Sequence, residues 1–564
     1  MSFSIDSGPI GPEVDRAFDR LAQFRFADAL WRRELAVWSH DSSVQQRIAN
    51  RLGWLAVLDL IRPSVDRLRG FAEGVRTGGF TDVVLLGMGG SSLAPEVMRH
   101  ILGVAPGYPR FRMLDSVNPD AVRDAMTHAA TSLFVYASKS GGTIEPRVLA
   151  AEARARVEAA GHTPWGSRFV AITDENTELH RLALGERFRD IFLNPGDIGG
   201  RYSALSFFGL VPAALMGADL ERLLDGARAM ADACRASDPR TNPGVALGAL
   251  MATAADAGRD KLTLLTPPRL ASFGVWVEQL VAESTGKDGK GVVPVAGETP
   301  RATWADDRVA VVVTLDREAP EADAVERVRS TGAPVAWLTM RDAHALGGEF
   351  FRWEVATAAA GWLLRINPFD EPNVEQAKSA TRALLDTYVT ERRQAAPEPH
   401  AMRDGVRFTL SDAAQQRLDS APPDDFLTLL RPGDYFALLS FVSPGAADFA
   451  AACEHFRSEV ATRGHATMFG YGPRYLHSTG QLHKGGPPTG LFVIVTADPV
   501  EDLPIPGFTF TFGVLEQAQA LGDFASLDAV GRRAMLVQLP RPDASLFERI
   551  TARLITSLAG SRPR

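Results

Sequence analysis

Phe134-Val-Tyr-Ala-Ser-Lys-Ser-Gly-Gly-Thr-Ile-Glu-Pro146 changes character twice within a short span. Residues 133–137 are an apolar run, which reads as a strand buried on both faces of a parallel sheet. Small residues and one cation, Lys139, follow. Glu145 and Pro146 then lead into an Ala/Arg/Glu-rich helical pattern over 148–157. A strand, a Gly-rich turn and a helix start gather free backbone N–H groups and the positive end of a helix dipole in one hollow. Ser138, Ser140 and Thr143 add hydroxyl donors to it. Such a hollow suits a phosphate monoester. An ordinary βα turn has the same composition and stays open as the alternative here.

The junction recurs along the chain. Residues 82–86 form a second apolar run that ends in Gly87-Met-Gly-Gly-Ser-Ser-Leu-Ala-Pro95. The pattern lacks the third glycine of a dinucleotide fingerprint, so its small residues suit close approach to a sugar. Further strands are expected at 110–114, 168–172 and 190–193, with helices between them. That alternation predicts a doubly wound parallel sheet, in which ligands bind outside the carboxyl ends of the strands. Gly90 and Ser91, the 138–143 turn and Arg201 of Asp197-Ile-Gly-Gly-Arg-Tyr-Ser203 all fall at such ends.

A second alternating block carries strands at 262–265, 309–314 and 335–339. A third has strands at 435–441, 466–470, 491–496 and 535–539, with helices expected at 514–521 and 526–534. The fold class is therefore α/β: two doubly wound parallel-sheet domains and an additional C-terminal α/β block. The boundaries read as a helical segment at 1–75, domains at 76–242 and 243–395, a linker at 395–405 (Ala-Ala-Pro-Glu-Pro-His at its start) and the last block at 406–564.

Composition narrows the function classes. A formal charge of −8 and the absence of a basic stripe argue against a nucleic-acid partner. No apolar stretch reaches membrane-spanning length, and the N-terminus has no signal-peptide pattern, so a cytoplasmic protein is expected. Cys234 and Cys453 read as core thiols of a reducing compartment. Of 60 basic residues only six are lysines, at 139, 261, 287, 290, 378 and 484. Where arginine serves as the generic cation, a surviving lysine is a candidate for proton chemistry that guanidinium cannot perform.

Two more segments carry chemistry-bearing residues. Gln279 and Glu283 stand four apart on one helix face, and Glu283 lies just before the helix stop at Gly286. A carboxylate at a helix C-terminus meets the negative end of the dipole, which favours a stronger base. In Tyr475-Leu-His-Ser-Thr-Gly-Gln-Leu-His-Lys-Gly-Gly486, His477 and His483 are six apart, which matches no usual zinc spacing.

Taken together, GMGGSSLAP, SKSGGTIEP, GDIGGRYSALS, VAESTGK, INPFDEPNVEQAK and LHSTGQLHKGG resemble segments of the phosphoglucose isomerase family, in the variant found as the isomerase half of bacterial transaldolase–isomerase fusions. The resemblance implies that the two α/β domains are of the sugar-isomerase (SIS) type and that the substrate is a hexose phosphate, with no metal and no organic cofactor. It also implies roles by position. Ser138, Lys139, Ser140 and Thr143 would hold the phosphate, with Gly90 and Ser91 as a second wall. Glu283 would be the proton-transfer base, with Gln279 beside it, and Arg201 the enediolate stabiliser. Lys378 and His477 would open the sugar ring. The order Glu, Lys, His departs from the usual one, in which the histidine precedes the lysine and arrives from the other subunit of a dimer. His344 is the weaker substitute. A homodimer and a monomer both stay open. So do an isomerase that also takes mannose 6-phosphate and a non-enzymatic sugar-phosphate sensor.

The lysine count generates a direct test. Lys378→Arg keeps the charge but removes an exchangeable proton near neutrality, and a clear loss of turnover is expected in a coupled glucose 6-phosphate assay.

Overall fold

The computed structural model describes residues 2–298, 304–393 and 396–560. Among them the strands form three sheets. The first contains β2 (Asp82–Leu86), β3 (Arg110–Leu114), β4 (Ser132–Ala137), β5 (Phe169–Asp174) and β6 (Asp190–Asn194). Its order is β3-β2-β4-β5-β6, and every neighbouring pair is parallel. All residues of β2 and β4 are buried, which explains their unbroken apolar runs. The chain leaves β2 for one side of the sheet and returns to β4 on the other. Strand order therefore reverses at β2, and the turns after β2 and β4 flank the crevice that the reversal opens.

The second sheet joins β7 (Lys261–Leu265), β8 (Val293–Val295), β9 (Arg308–Leu315) and β10 (Val335–Met340) in parallel. Its outer edge is β1 (Ser2–Asp6), antiparallel to β10. The 1–75 segment is thus not wholly helical. Phe3 and Ile5 pack against the main core, a period-two alternation too short to stand out beside the helical pattern that follows. The three-residue β8 is likewise too short to read from sequence.

In the third sheet, β13 (Tyr435–Phe441), β14 (Ala466–Tyr471), β15 (Gly490–Ala497) and β16 (Arg533–Leu539) are parallel. Two antiparallel strands, β11 (Ala401–Arg403) and β12 (Val406–Leu410), extend one edge. The expected linker at 395–405 begins at Ala395, outside the described residues, and β11 falls within its far end. The two helices expected at 514–521 and 526–534 are one helix, Phe512–Ala529. The apparent break at Gly522-Asp523 has another cause. Asp523 is a buried partner that accepts from the Tyr475 hydroxyl at 2.6 Å and pairs with Lys484 at 2.5 Å.

Packing joins the third sheet to the other two. Phe512, Leu515 and Ala518 enter the core on one face of the first sheet, together with Leu385 and Ile505. At the second sheet, Glu298 is buried against Arg308 and accepts the Thr467 amide of β14 at 2.9 Å. A buried ion pair of this kind needs its remaining lone pairs satisfied, and the neighbouring sheet does so.

The turn after β2 and the loop after β6 touch through glycine. A Cβ on Gly90 would lie 2.1 Å from the Gly200 carbonyl oxygen, next to Arg201. Gly90→Ala is expected to lower stability by about 1–3 kcal/mol and to reduce activity as the two loops separate. An unchanged thermal midpoint would show that the contact relaxes freely.

Candidate active site

The turn after β4 is built as its sequence requires. Gly141 adopts φ +70°, and a Cβ there would meet the Leu179 amide at 2.8 Å. Gly142 N–H donates to Ser140 Oγ at 3.3 Å. Thr143 stands at the N-cap of helix Ile144–Ala159, yet its hydroxyl does not cap the helix. Ser138 is buried, and its Oγ has no hydrogen-bond partner among the described residues. Ser140, Gly142, Thr143 and the helix start at Ile144 line a cavity of about 420 Å³, together with Lys378 and His477. Lys139 is placed differently from its expected role. Its ammonium donates to Asp174 Oδ2 at 2.5 Å and to the Gly196 carbonyl at 2.8 Å, so it braces the strand ends.

In the first turn of the same helix, Glu145 is buried. Its Oε1 lies 2.9 Å from His477 Nε2 and accepts Gln519 Nε2 at 2.6 Å. Burial pushes the Glu145 carboxyl up, but His477, with its own backbone amide and Lys378, holds it below the usual range. A helix N-terminus favours the same charged form. His477 is delivered by a short turn, Arg474–His477, that follows β14. Arg474 docks that turn on the first sheet, pairing with Asp115 at 2.7 Å and Glu96 at 2.8 Å. The C-terminal block thus contributes its histidine to a crevice of the first sheet in the same chain.

Gln279 links the two halves of the site. It is buried on helix Ala271–Thr285, and its Nε2 donates to the His477 carbonyl at 2.8 Å and to Glu283 Oε2 at 3.3 Å. Gly89 of the short turn Gly89–Ser91 faces this same pair. Gly90 and Ser91 follow it in that turn; the Gly90 carbonyl accepts from Ser203 Oγ at 3.3 Å.

Glu283 lies in the last turn of its helix, with a side chain 12% exposed. Burial raises its pKa, Arg201 opposes the rise, and nearby Glu371 adds to it. Arg201 Nη1 donates to Glu283 Oε1 at 3.1 Å. Lys287 supports the region from behind, donating to the Asn367 carbonyl at 2.6 Å and to Asp370 at 2.8 Å. Burial, chiefly, pulls the Lys287 ammonium down to about 8.

The geometry therefore gathers Ser140, Thr143, Lys378 and His477 around one cavity, and joins Glu283, Gln279 and Arg201 to it through the His477 backbone. His344 lies elsewhere, beside Asp342 and Arg222. His483 does not accompany His477. It is buried between Tyr435 and Thr479, which pushes its pKa well below the usual value. Glu145, Gln519 and Glu371 were not singled out by sequence. Glu145 reads as an ordinary first-turn carboxylate, Glu371 as part of a turn, and Gln519 gives no signal within its helix.

The family described as phosphoglucose isomerase matches residues 53–306. The chain is 32% identical over 411 residues to a glucose-6-phosphate isomerase of Parasynechococcus marenigrum, covering 64% of this chain and 73% of that protein. With the enzyme of the same name from Synechococcus sp. (strain CC9902) the identity is 31%, over 66% and 77% of the two chains. Among solved structures, a hypothetical protein of Thermus thermophilus superposes with a TM-score of 0.58 at 24% identity, covering 68% of this chain and all of the other. A glucose-6-phosphate isomerase from Chlamydia trachomatis gives 0.50 at 18% identity, over 58% and 73%. Both structural likenesses concern the fold.

Proposed function

Because this chain belongs to the phosphoglucose isomerase family, we propose that it interconverts D-glucose 6-phosphate and D-fructose 6-phosphate through a cis-enediol, with the residues gathered above as its catalytic set. The observation that carries the residue assignment is the Gln279 amide. It touches both the proposed base and the backbone of the proposed ring-opening histidine, so one bound sugar can meet both.

In this reading the phosphate sits against Ser140, Gly142 and Thr143 at the helix N-terminus, where N–H groups and the dipole favour an anion. Ser138 Oγ, buried without a partner among the described residues, is a further donor in the same turn. Anchoring the phosphate fixes the far end of the substrate and converts proton transfer into an intramolecular event. His477, oriented by Glu145, and Lys378 exchange protons with the ring and hydroxyl oxygens as the ring opens. Glu283 then takes the proton from C2 and returns it to C1. Its raised pKa brings the carboxylate closer to a base matched to neutral pH. Arg201 stabilises the negative charge that develops on the enediolate oxygen. We place this activity in the cytoplasm. Two buried free thiols and a phosphorylated substrate support that setting.

Every group in this mechanism comes from one chain, which supports a catalytically competent monomer. Specific activity is then expected to stay constant on dilution, and a fall that tracks dissociation of an oligomer would reject the monomeric site. Glu283→Gln should lower kcat by about 10²–10⁴-fold while leaving sugar-phosphate binding intact. Near-normal turnover by this variant in a coupled assay would remove Glu283 as the base.

A further inference from the structure

Arg201 carries five N–H donors, and in this structure all five are engaged. Nε donates to Ser284 Oγ at 2.8 Å. One terminal nitrogen, Nη2, donates to the carbonyls of Pro368 at 2.8 Å and Asp370 at 3.0 Å. The other, Nη1, donates to Glu283 at 3.1 Å and Glu371 at 2.9 Å. An arginine so saturated has nothing left to offer a developing oxyanion. One acceptor has to leave before Arg201 can act.

The five acceptors differ in how firmly they are held. Ser284 is fully buried within its helix. The Pro368 and Asp370 carbonyls belong to a turn pinned by Lys287 and by the Asn367 amide, which donates to Asp370 Oδ2 at 2.9 Å. Glu283 is needed at the site as the base. Glu371 stands apart, with a side chain 32% exposed against 4% for Arg201.

Its backbone position adds a second argument. Glu371 is the residue before helix Pro372–Glu391, the N-cap site, and its side chain makes no capping bond. A carboxylate there ordinarily accepts from the first-turn amides. Here it is turned away toward Arg201. Pro372 has no N–H and the Asn373 amide is held by Gln481 Oε1 at 2.9 Å, so what a carboxylate released from Arg201 meets there is the positive end of the helix dipole.

Charge points the same way. The groups that act on the Glu283–Glu371 pair are Arg201, Lys287, Arg51 and His477. Arg201 already faces two carboxylates, and a substrate oxyanion would be the third. Exchange of Glu371 for that oxyanion keeps the count at two.

Building on the isomerase reading, we propose that Glu371 is an internal stand-in for the enediolate oxygen, occupying its place on Arg201 and yielding it as the reaction proceeds. It is a positioning residue that acts through Arg201. In the resting enzyme it saturates a buried cation, and its charge also keeps Glu283 basic.

The test compares two ligands on Glu371→Gln and Glu371→Ala. One is an aldonate 5-phosphate, whose carboxylate imitates the enediolate. The other is a hexitol 6-phosphate, which shares the phosphate but has no anionic head. Glu371→Ala is expected to bind the aldonate about tenfold or more tightly than the unaltered chain, Glu371→Gln to fall between, and neither to change hexitol affinity. Equal changes for the two ligands, or none for the aldonate, would overturn the proposal. Loss of hexitol binding in both variants would overturn it too, since Glu371 would then be holding the pocket together. Turnover of glucose 6-phosphate by the unaltered chain is measured in parallel. Its absence would count against the isomerase reading itself, whichever way the binding comparison falls.

Discussion

A guanidinium buried away from water is costly unless every donor is met. Arg201 is such a group, and much of the site's geometry follows from meeting its needs. Its partners come from helix Ala271–Thr285 and from the turn before helix Pro372–Glu391, while Arg201 itself rides on a loop of the first sheet. Satisfying one side chain thus brings together segments that are up to 170 residues apart in sequence. The same requirement places Glu283 against a cation and in low dielectric, where burial and Arg201 pull its pKa in opposite directions.

The third sheet completes what the first two leave open. Its histidine is held by a carboxylate of the first sheet's helix, by an arginine clamp on the first sheet's edge and by a glutamine from the second block. None of these contacts is local. Each adds to the apolar packing that already covers the first sheet. The relocated histidine motif is therefore fixed by polar pairs on one side and by a hydrophobic helix face on the other.

Much of the architecture was legible in the sequence because parallel strands are buried on both faces and read as unbroken apolar runs. All the strands expected in the three blocks are present, with ends displaced by a residue or two. β1, β8, β11 and β12 were missed because short or edge strands lack such runs. Within the site, Glu283 and Arg201 stood at helix and strand ends, and the family resemblance gave them, with Gln279, their expected roles. Glu145, Gln519 and Glu371 take their meaning from partners distant in sequence, which no local pattern carries. The scarce lysines prove instructive in another way. Lys139, Lys261, Lys287, Lys290 and Lys484 each donate to a backbone carbonyl. A compact ammonium can turn toward a carbonyl and a carboxylate at once, where a planar fork needs more room. In these five, scarcity marks structural pins; Lys378 lies instead at the cavity.

The Glu145–Gln519 bond also sets a timetable. Domains emerge and fold from the N-terminal side during synthesis, so the turn after β4 is made while hundreds of residues are still to come. His477 and the helix that carries Gln519 reach it only near the end. A ribosome-bound chain halted before Phe512 would lack the Gln519 contact to Glu145 and the helix that covers that face of the first sheet. On the proposed role of His477, catalytic competence would appear only once the last block has docked.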